Sequence, residues 1–118
     1  MPQSFFWHEL MTSDPKAAEA FYAKVIGWTM QPFPSSEMTY TVLNVGERGV
    51  GGIMMLPEQV KAMGAPSMWV GYIHAADCDK ATDAVAKAGG AVQQPPMDIP
   101  GVGRFSVVAD PQGATFMI

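Results

Sequence analysis

The sequence predicts an α+β fold made of two βαβββ units, which together form a cup-shaped, incompletely closed mixed sheet. Three observations predict it: a weak internal repeat, a helix signature in each copy of that repeat, and short β segments after each helix. The predicted units cover about 4–56 and 68–118 of a single domain, 1–118, with a linker at about 57–67. Each unit would have one sheet face covered by its helix and one open face, which favours a ligand site.

The repeat is found when the sequence is shifted by 63 positions. The segment WHELMTSDPKAAEAFYAKVIGW (7–28) then lies over VGYIHAADCDKATDAVAKAGGA (70–91), with five identical positions in 22. Because alanine is common in this chain, the identities alone are weak evidence. The shared order of strand, helix and glycine is the stronger evidence, and it indicates two units of the same design.

Each copy carries its own helix signals. In the first, Asp14-Pro15 marks the start, since aspartate accepts from the first backbone N–H groups and proline suits the first turn. An apolar stripe follows, and Gly27 supplies the stop. In the second, Asp77 or Asp79 is the cap and Gly89-Gly90 the stop. The two stripes are Ala18, Phe21, Tyr22 and Val25, and then Ala81, Ala84, Val85 and Ala88.

Short β segments are expected after each helix: Trp28–Gln31, Thr39–Val45 and Gly51–Leu56, then Ala91–Gln93, Arg104–Ala109 and Thr115–Ile118. Proline cannot donate to a ladder, so Pro32–Pro34 and Pro95-Pro96 are expected to break the sheet at matching places. Asp110-Pro111-Gln112-Gly113 predicts a turn, and the linker is expected to hold a short helical turn. Four glycines predict a hairpin turn and a crowded strand: Gly46, Gly49, Gly51 and Gly52.

The composition favours a globular domain and argues against several functions. The 118 residues, 48% of them hydrophobic and 15% charged, can bury a core. A net charge of −4 argues against a nucleic-acid partner, and the apolar stretches are shorter than the ~20 residues that cross a bilayer. No run of Lys or Arg suggests a membrane surface. The single Cys78 and an N-terminus without a basic segment predict a reducing, cytoplasmic location.

Together these features resemble the vicinal oxygen chelate superfamily, which holds glyoxalase I, bleomycin-resistance proteins and extradiol dioxygenases. The resemblance rests on the order and spacing of D-P-x-x-A-x-x-F-Y-x-x-x-x-G-W (14–28), the paired glycines and the D-P-x-G segment. It covers nearly the whole chain, and W-x-E-L-x-T-x-D (7–14) looks like a glyoxalase-like subgroup often found as tandem domains. The resemblance implies the paired βαβββ fold and a homodimer formed through open sheet edges.

In metal-using members of that superfamily, four ligands from the first and last strands of each unit point into the cup. Here the first position falls on Trp7, the third on Val70 and the fourth on Met117, and the equivalent of the fourth in the first unit is near Met54. The resemblance therefore implies that no hard or borderline metal ion, and no other cofactor, is bound. His8 looks like a metal ligand by residue type, but side chains alternate along a strand. If Trp7 faces the cup, His8 is structural, although a one-residue slip would reverse the faces.

Glu9 is the candidate catalytic residue, since it would enter the cup beside Trp7 and accept a hydrogen bond or a proton there. The alternative is an exposed rim carboxylate, or one paired with Arg104 or Arg48. Arg104 is expected either to clamp an anionic ligand or to form a surface ion pair. The predicted ligand-binding set is Trp7, Glu9, Met54, Val70, Tyr72, His74, Arg104 and Met117.

The favoured function is binding of a small organic molecule in a metal-free cup lined by Trp and Met side chains, with sequestration as in the antibiotic-resistance branch. Ten methionines would give this surface an adaptable character, although core filling is the alternative for each one. A second hypothesis is an enzyme, either a glyoxalase-type lyase or isomerase or a dioxygenase-like member. It would use Glu9 as base or a metal recruited through His8 or His74. A third is an interaction module that pairs with a second glyoxalase-like chain.

Overall fold

A computed structural model describes residues 3–33, 39–99 and 101–118. The described elements follow the predicted order of βαβββ, a short connecting helix, and βαβββ again, so the predicted α+β fold is confirmed. They are β1 (Phe5–Thr12), α1 (Pro15–Val25), β2 (Thr29–Pro32), β3 (Tyr40–Val45), β4 (Arg48–Met55), α2 (Glu58–Ala62), β5 (Met68–Ile73), α3 (Cys78–Lys87), β6 (Ala91–Ile99), β7 (Gly103–Ala109) and β8 (Thr115–Met117).

The chain divides into two compact units. The first unit is Trp7–Val70, and the second is Gly71–Ile118 with the described residues up to Phe6. In the first unit the strand order is β2-β3-β4-β1, and β1 runs parallel to β4 while the other neighbours are antiparallel. In the second unit the order is β5-β8-β7-β6, with β5 parallel to β8. Each unit is therefore a mixed sheet with its own helix.

Helix α1 begins and ends where the sequence predicts. The Asp14 carboxylate accepts a hydrogen bond from the backbone N–H of Ala17 at 3.1 Å, and Gly27 follows the helix with φ +90°. The helix packs on a core in which Leu43 is 0% exposed. The other core residues are Leu10 and Ile53, with Ala18 and Tyr22 packed against them from α1. One face of the first sheet is therefore covered by α1.

Helix α3 covers one face of the second sheet in the same way. Asp77, not Asp79, is the cap, because its carboxylate accepts from the backbone N–H of Lys80 at 3.0 Å. Thr82 donates to the carbonyl of Cys78 and lies 2.7 Å from the hydroxyl of Ser106. Since the one hydroxyl hydrogen of Thr82 is used, Ser106 donates to Thr82, and both buried hydroxyls are satisfied.

The prediction that Pro95-Pro96 breaks the sheet is wrong. Strand β6 continues from Ala91 to Ile99, with register shifts against β7 between Val92 and Gln94 and between Gln94 and Met97. The physical reason is that β6 is the outermost strand of its unit, where a missing N–H donor is tolerated and bulges absorb the irregularity.

The other segment predictions are close to the observed elements. β2 includes Pro32, one residue beyond the predicted end at Gln31, while Pro34 lies outside the described residues. The predicted helical turn in the linker is α2, and none of the helices in the described ranges is long and apolar enough to span a bilayer. The glycine-rich segment forms a hairpin turn at Gly46, where φ is +62°, and then the crowded strand β4. β4 starts at Arg48, earlier than predicted.

Candidate ligand-binding site on the first unit

The candidate site lies on the face of the first sheet that α1 leaves uncovered. Glu9 on β1 is opposite Gly52 on β4, and Tyr40 on β3 is opposite Met54 on β4. Side chains opposite each other on neighbouring strands point to the same face. These residues therefore share one face, whereas Leu10, the neighbour of Glu9 along β1, points into the core under α1.

Three polar side chains on this face form a hydrogen-bonded series, here called the Tyr40 cluster (Trp7, Tyr40 and Glu9). The indole N–H of Trp7 donates to the hydroxyl of Tyr40 at 3.0 Å, and that hydroxyl donates to Oε1 of Glu9 at 2.8 Å. Glu9 is buried, with 5% of its surface exposed, while Trp7 and Tyr40 are half-buried. The series therefore ends on a buried carboxylate and leaves parts of two aromatic rings accessible.

The surroundings of Tyr40 keep its hydroxyl protonated. Burial raises the pKa of Tyr40 well above the usual range of tyrosine, and the nearby charge of Glu9 raises it further. The hydrogen bond from Trp7 acts in the opposite direction but is outweighed. Tyr40 is therefore a fixed donor to Glu9 at neutral pH.

Two glycines on β4 make room for the rings of the cluster. A Cβ atom on Gly52 would overlap the phenol of Tyr40. A Cβ atom on Gly49 would lie 3.4 Å from Cη2 of Trp7 and 3.4 Å from Cγ1 of Val42, at the edge of ordinary contact. The phenol thus lies directly over Gly52 and the indole over Gly49. Because these two positions of β4 have no side chain, both rings can approach the strand closely.

The structure brings together Trp7, Glu9 and Met54 of the predicted set. Glu9 is not an exposed rim carboxylate, and its partner is Tyr40, which the sequence analysis did not single out. His8 lies on the other face, where it lines a cavity with Trp28 and Leu43, in agreement with the predicted alternation. Val70 is buried, at 2% exposed.

Four predicted residues lie in the second unit, and three of them are on or next to β5 and β8. Tyr72 is opposite Met117 in register, and its ring centroid is 6.4 Å from that of Phe105. Met117 is 3% exposed. His74 is exposed near the end of β5, with its ring 6.0 Å from that of Phe6. Tyr72 and Met117 are therefore neighbours, as expected, and His74 is at the surface.

Arg104 does not join these residues. Its guanidinium donates to Asp79 on α3 at 2.7 Å and to Asp98 on β6 at 3.1 Å, so it points toward α3, while Phe105 points to the other face. The hydrogen bond from Arg104 holds the pKa of Asp79 below its usual range. This placement corrects the expectation of a clamp for an anionic ligand and matches the alternative of a surface ion pair.

A family model matches most of the chain. The model of the glyoxalase/bleomycin resistance protein/dioxygenase superfamily covers residues 5–118. The chain belongs to this superfamily.

Two curated proteins are similar to this chain in sequence. "Putative glyoxylase CFP32" of Mycobacterium tuberculosis is 40% identical over 116 residues, which are 98% of this chain and 43% of that protein. "Anthracycline biosynthesis protein DnrV" of Streptomyces peucetius is 30% identical over 135 residues, which cover 95% of this chain and 45% of that protein. The chain therefore spans less than half the length of these curated relatives.

Solved structures with low sequence identity share the superfamily fold. Methylmalonyl-CoA epimerase of Streptomyces coelicolor, in complex with 2-nitronate-propionyl-CoA, has a TM-score of 0.65 and 14% identity, covering 99% of this chain and 93% of that one. A mutant of 4-hydroxymandelate synthase from Streptomyces coelicolor has a TM-score of 0.67 and 17% identity, covering 98% of this chain and 38% of that one. At such identities the likeness concerns the fold alone.

The residues that the resemblance places at the metal-ligand positions do not fit a hard or borderline cation. Trp7 and Val70 offer no ligand atom, and Met54 and Met117 offer only a soft thioether. Within residues 3–33, 39–99 and 101–118, no group of three or more His, Cys, Asp or Glu side chains is close enough to hold a metal ion. The absence of a bound metal or other cofactor stays a prediction.

Proposed function

We propose that this member of the glyoxalase superfamily binds a planar organic molecule on the face that carries the Tyr40 cluster, without a metal, and so sequesters it. The observation that carries the proposal is the pair of half-buried rings, Trp7 and Tyr40, whose orientation is fixed by hydrogen bonds ending on buried Glu9. Rings held in place before binding lose little entropy when a flat ligand stacks on them. Met54 is opposite Tyr40 in the β3–β4 register, and its flexible side chain would adapt to the ligand's edge.

The ligand class that this face favours is a flat polycyclic molecule. Anthracyclines are fused aromatic ring systems, and a curated relative carries anthracycline biosynthesis in its name, which supports the proposal. The net charge of −4 and the buried carboxylate of Glu9 favour a neutral or cationic ligand over an anionic one. Daunorubicin, which is flat and carries an amine, is therefore a suitable probe.

Replacing Trp7 with Ala is expected to weaken daunorubicin binding about tenfold or more, a loss of roughly 1.4 kcal/mol, because a stacking surface is removed. Isothermal titration calorimetry on metal-free protein measures the affinity, and circular dichroism verifies the fold. Trp69→Ala is the matched control, since Trp69 contacts Tyr22 of α1 and lies away from the Tyr40 cluster. Equal affinities for Trp7→Ala and the parent protein would contradict the proposal.

A second candidate is a glyoxalase-type lyase or isomerase reaction in which Glu9 accepts a proton. Its support is the buried carboxylate, positioned by Tyr40 beside accessible ring surfaces. The test is turnover of the hemithioacetal of methylglyoxal and glutathione, with and without added Zn²⁺ or Ni²⁺. Glu9→Gln should abolish turnover while the fold survives, and equal rates for the two proteins would remove Glu9 from the reaction.

We also propose, from the sequence, that the protein is a homodimer and is located in the cytoplasm. Sedimentation at several protein concentrations tests the homodimer.

A further inference from the structure

The cavity that His8 lines is on the opposite face of the first unit from the Tyr40 cluster, near the C-terminal end of α1. Its volume is about 280 Å³. Because α1 ends at Val25 and Gly51 has no side chain, neither α1 nor Gly51 places a side chain in the space over this part of the sheet. The lining residues are His8, Trp28, Leu43, Val50, Gly51 and Trp69.

The aromatic side chains at this cavity are held in a fixed arrangement. Tyr22 stacks on Trp28 with ring centroids 5.6 Å apart, and Trp69 meets Tyr22 edge-on at 5.4 Å. The indole N–H of Trp69 donates to the hydroxyl of Tyr22 at 3.1 Å, which ties β5 to α1. The two indoles of Trp28 and Trp69 lie 6.0 Å apart at 69°. They therefore form a corner in which a flat ring can stack on one indole and meet the other edge-on.

The position of Val50 explains why the cavity is apolar on the side formed by the sheet. In the β3–β4 register, Leu43 is opposite Gly51 and Asn44 is opposite Gly49, so Val50 is the extra residue of a bulge. Val50 packs against the core cluster that contains Leu43. The bulge thus turns an aliphatic side chain toward the cavity at a point where strict alternation would direct it to the other face.

Size and charge define the ligand class. An apolar cavity of about 150 Å³ holds one benzene ring, so roughly twice that volume admits a bicyclic aromatic. None of the six described residues that line the cavity is Asp, Glu, Lys or Arg, and most of its wall is apolar. A charged ligand would lose its hydration there without a compensating partner. We infer that this cavity is a second binding site, separate from the Tyr40 cluster, for an uncharged bicyclic aromatic molecule.

The experiment uses 2-naphthol at pH 7 as the probe and follows the indole N–H signals of the three tryptophans by ¹⁵N-correlated NMR. Saturable shifts are expected for the Trp28 and Trp69 signals, whether or not the Trp7 signal also moves. Val50→Phe should weaken binding at least about tenfold, because a benzyl group would fill the cavity. Val45→Phe is the matched control, since Val45 is 51% exposed at the end of β3 and should leave binding unchanged.

Two further variants keep the test decisive. If Val50→Phe does not fold, Trp69→Leu removes one wall and should weaken 2-naphthol binding by a similar factor. Trp7→Phe should bind 2-naphthol as the parent protein does, even if it loses daunorubicin, so failure at one site is distinguished from failure at the other. The inference is overturned if 2-naphthol shifts no indole signal, shifts only that of Trp7, or binds the folded Val50→Phe or Trp69→Leu protein with unchanged affinity.

Discussion

Gly52→Ala is expected to lower the free energy of unfolding by about 1–3 kcal/mol, because the added methyl group would overlap the phenol of Tyr40. An alanine usually stabilises a strand relative to glycine, so a lower free energy of unfolding would identify the overlap with Tyr40 as its cause. Tyr40 cannot move away without breaking its hydrogen bonds to Trp7 and Glu9. Urea unfolding followed by circular dichroism measures the change.

Two controls isolate the contact between Gly52 and Tyr40. Gly49→Ala makes the same substitution on the same strand, but its Cβ would only reach a contact of 3.4 Å, so a much smaller change is expected. In the double variant Gly52→Ala/Tyr40→Ala, the penalty of the added methyl group should disappear, which a double-mutant cycle measures directly. Equal penalties for Gly52→Ala with and without Tyr40 would show that the phenol is not placed over this glycine.

Tyr40→Phe is expected to cost about 1.5–3 kcal/mol of stability, because the buried Glu9 carboxylate loses a hydrogen-bond donor and Trp7 loses an acceptor. Tyr22→Phe is the matched control. The hydroxyl of Tyr22 accepts the indole N–H of Trp69 and has no buried carboxylate as a partner in the described structure, so the expected cost is about 0.5–1.5 kcal/mol. Urea unfolding of the three proteins at pH 7 compares them, and a smaller loss for Tyr40→Phe than for Tyr22→Phe would contradict the account.

The pH dependence of the Tyr40 contribution follows from its pKa, which is raised in the folded state by burial and by the charge of Glu9. The contribution is complete below the ordinary tyrosine pKa of about 10, because both folded and unfolded states are then protonated. Above that pH the unfolded state loses its proton first, so the free energy of unfolding falls as pH rises toward the folded-state pKa. The stability difference between the parent protein and Tyr40→Phe should therefore shrink above about pH 10, and a constant difference up to pH 11.5 would contradict a raised pKa.

Local signals in the sequence predicted the helices and the faces of β1. Asp14-Pro15 and Gly27 act through neighbouring backbone groups, so their effect can be predicted without knowing the fold. The alternation that separates Trp7 from His8 is likewise a property of any extended strand. The internal repeat predicted the second unit, in which Asp77 caps α3 through neighbouring backbone groups as Asp14 caps α1.

Long-range contacts could not be predicted in this way. Tyr40 is 31 residues from Glu9, and its role depends on the register of three strands and on the space above Gly52. The one available signal was a tyrosine at the start of a strand paired with a glycine-rich one. Pro95-Pro96 were misjudged because only the sheet order places β6 at an edge. The two expectations for Arg104 could not be separated from the sequence, because its partners come from α3 and β6.

The most direct test of the central claim is a daunorubicin titration of metal-free protein followed through the indole N–H signal of Trp7 by NMR. We expect the Trp7 signal to shift until one daunorubicin is bound per binding site, while the signals of Trp28 and Trp69 do not move. Adding a divalent metal should change neither result. A titration in which only Trp28 and Trp69 shift, or in which Trp7 responds only after metal is added, would contradict this expectation.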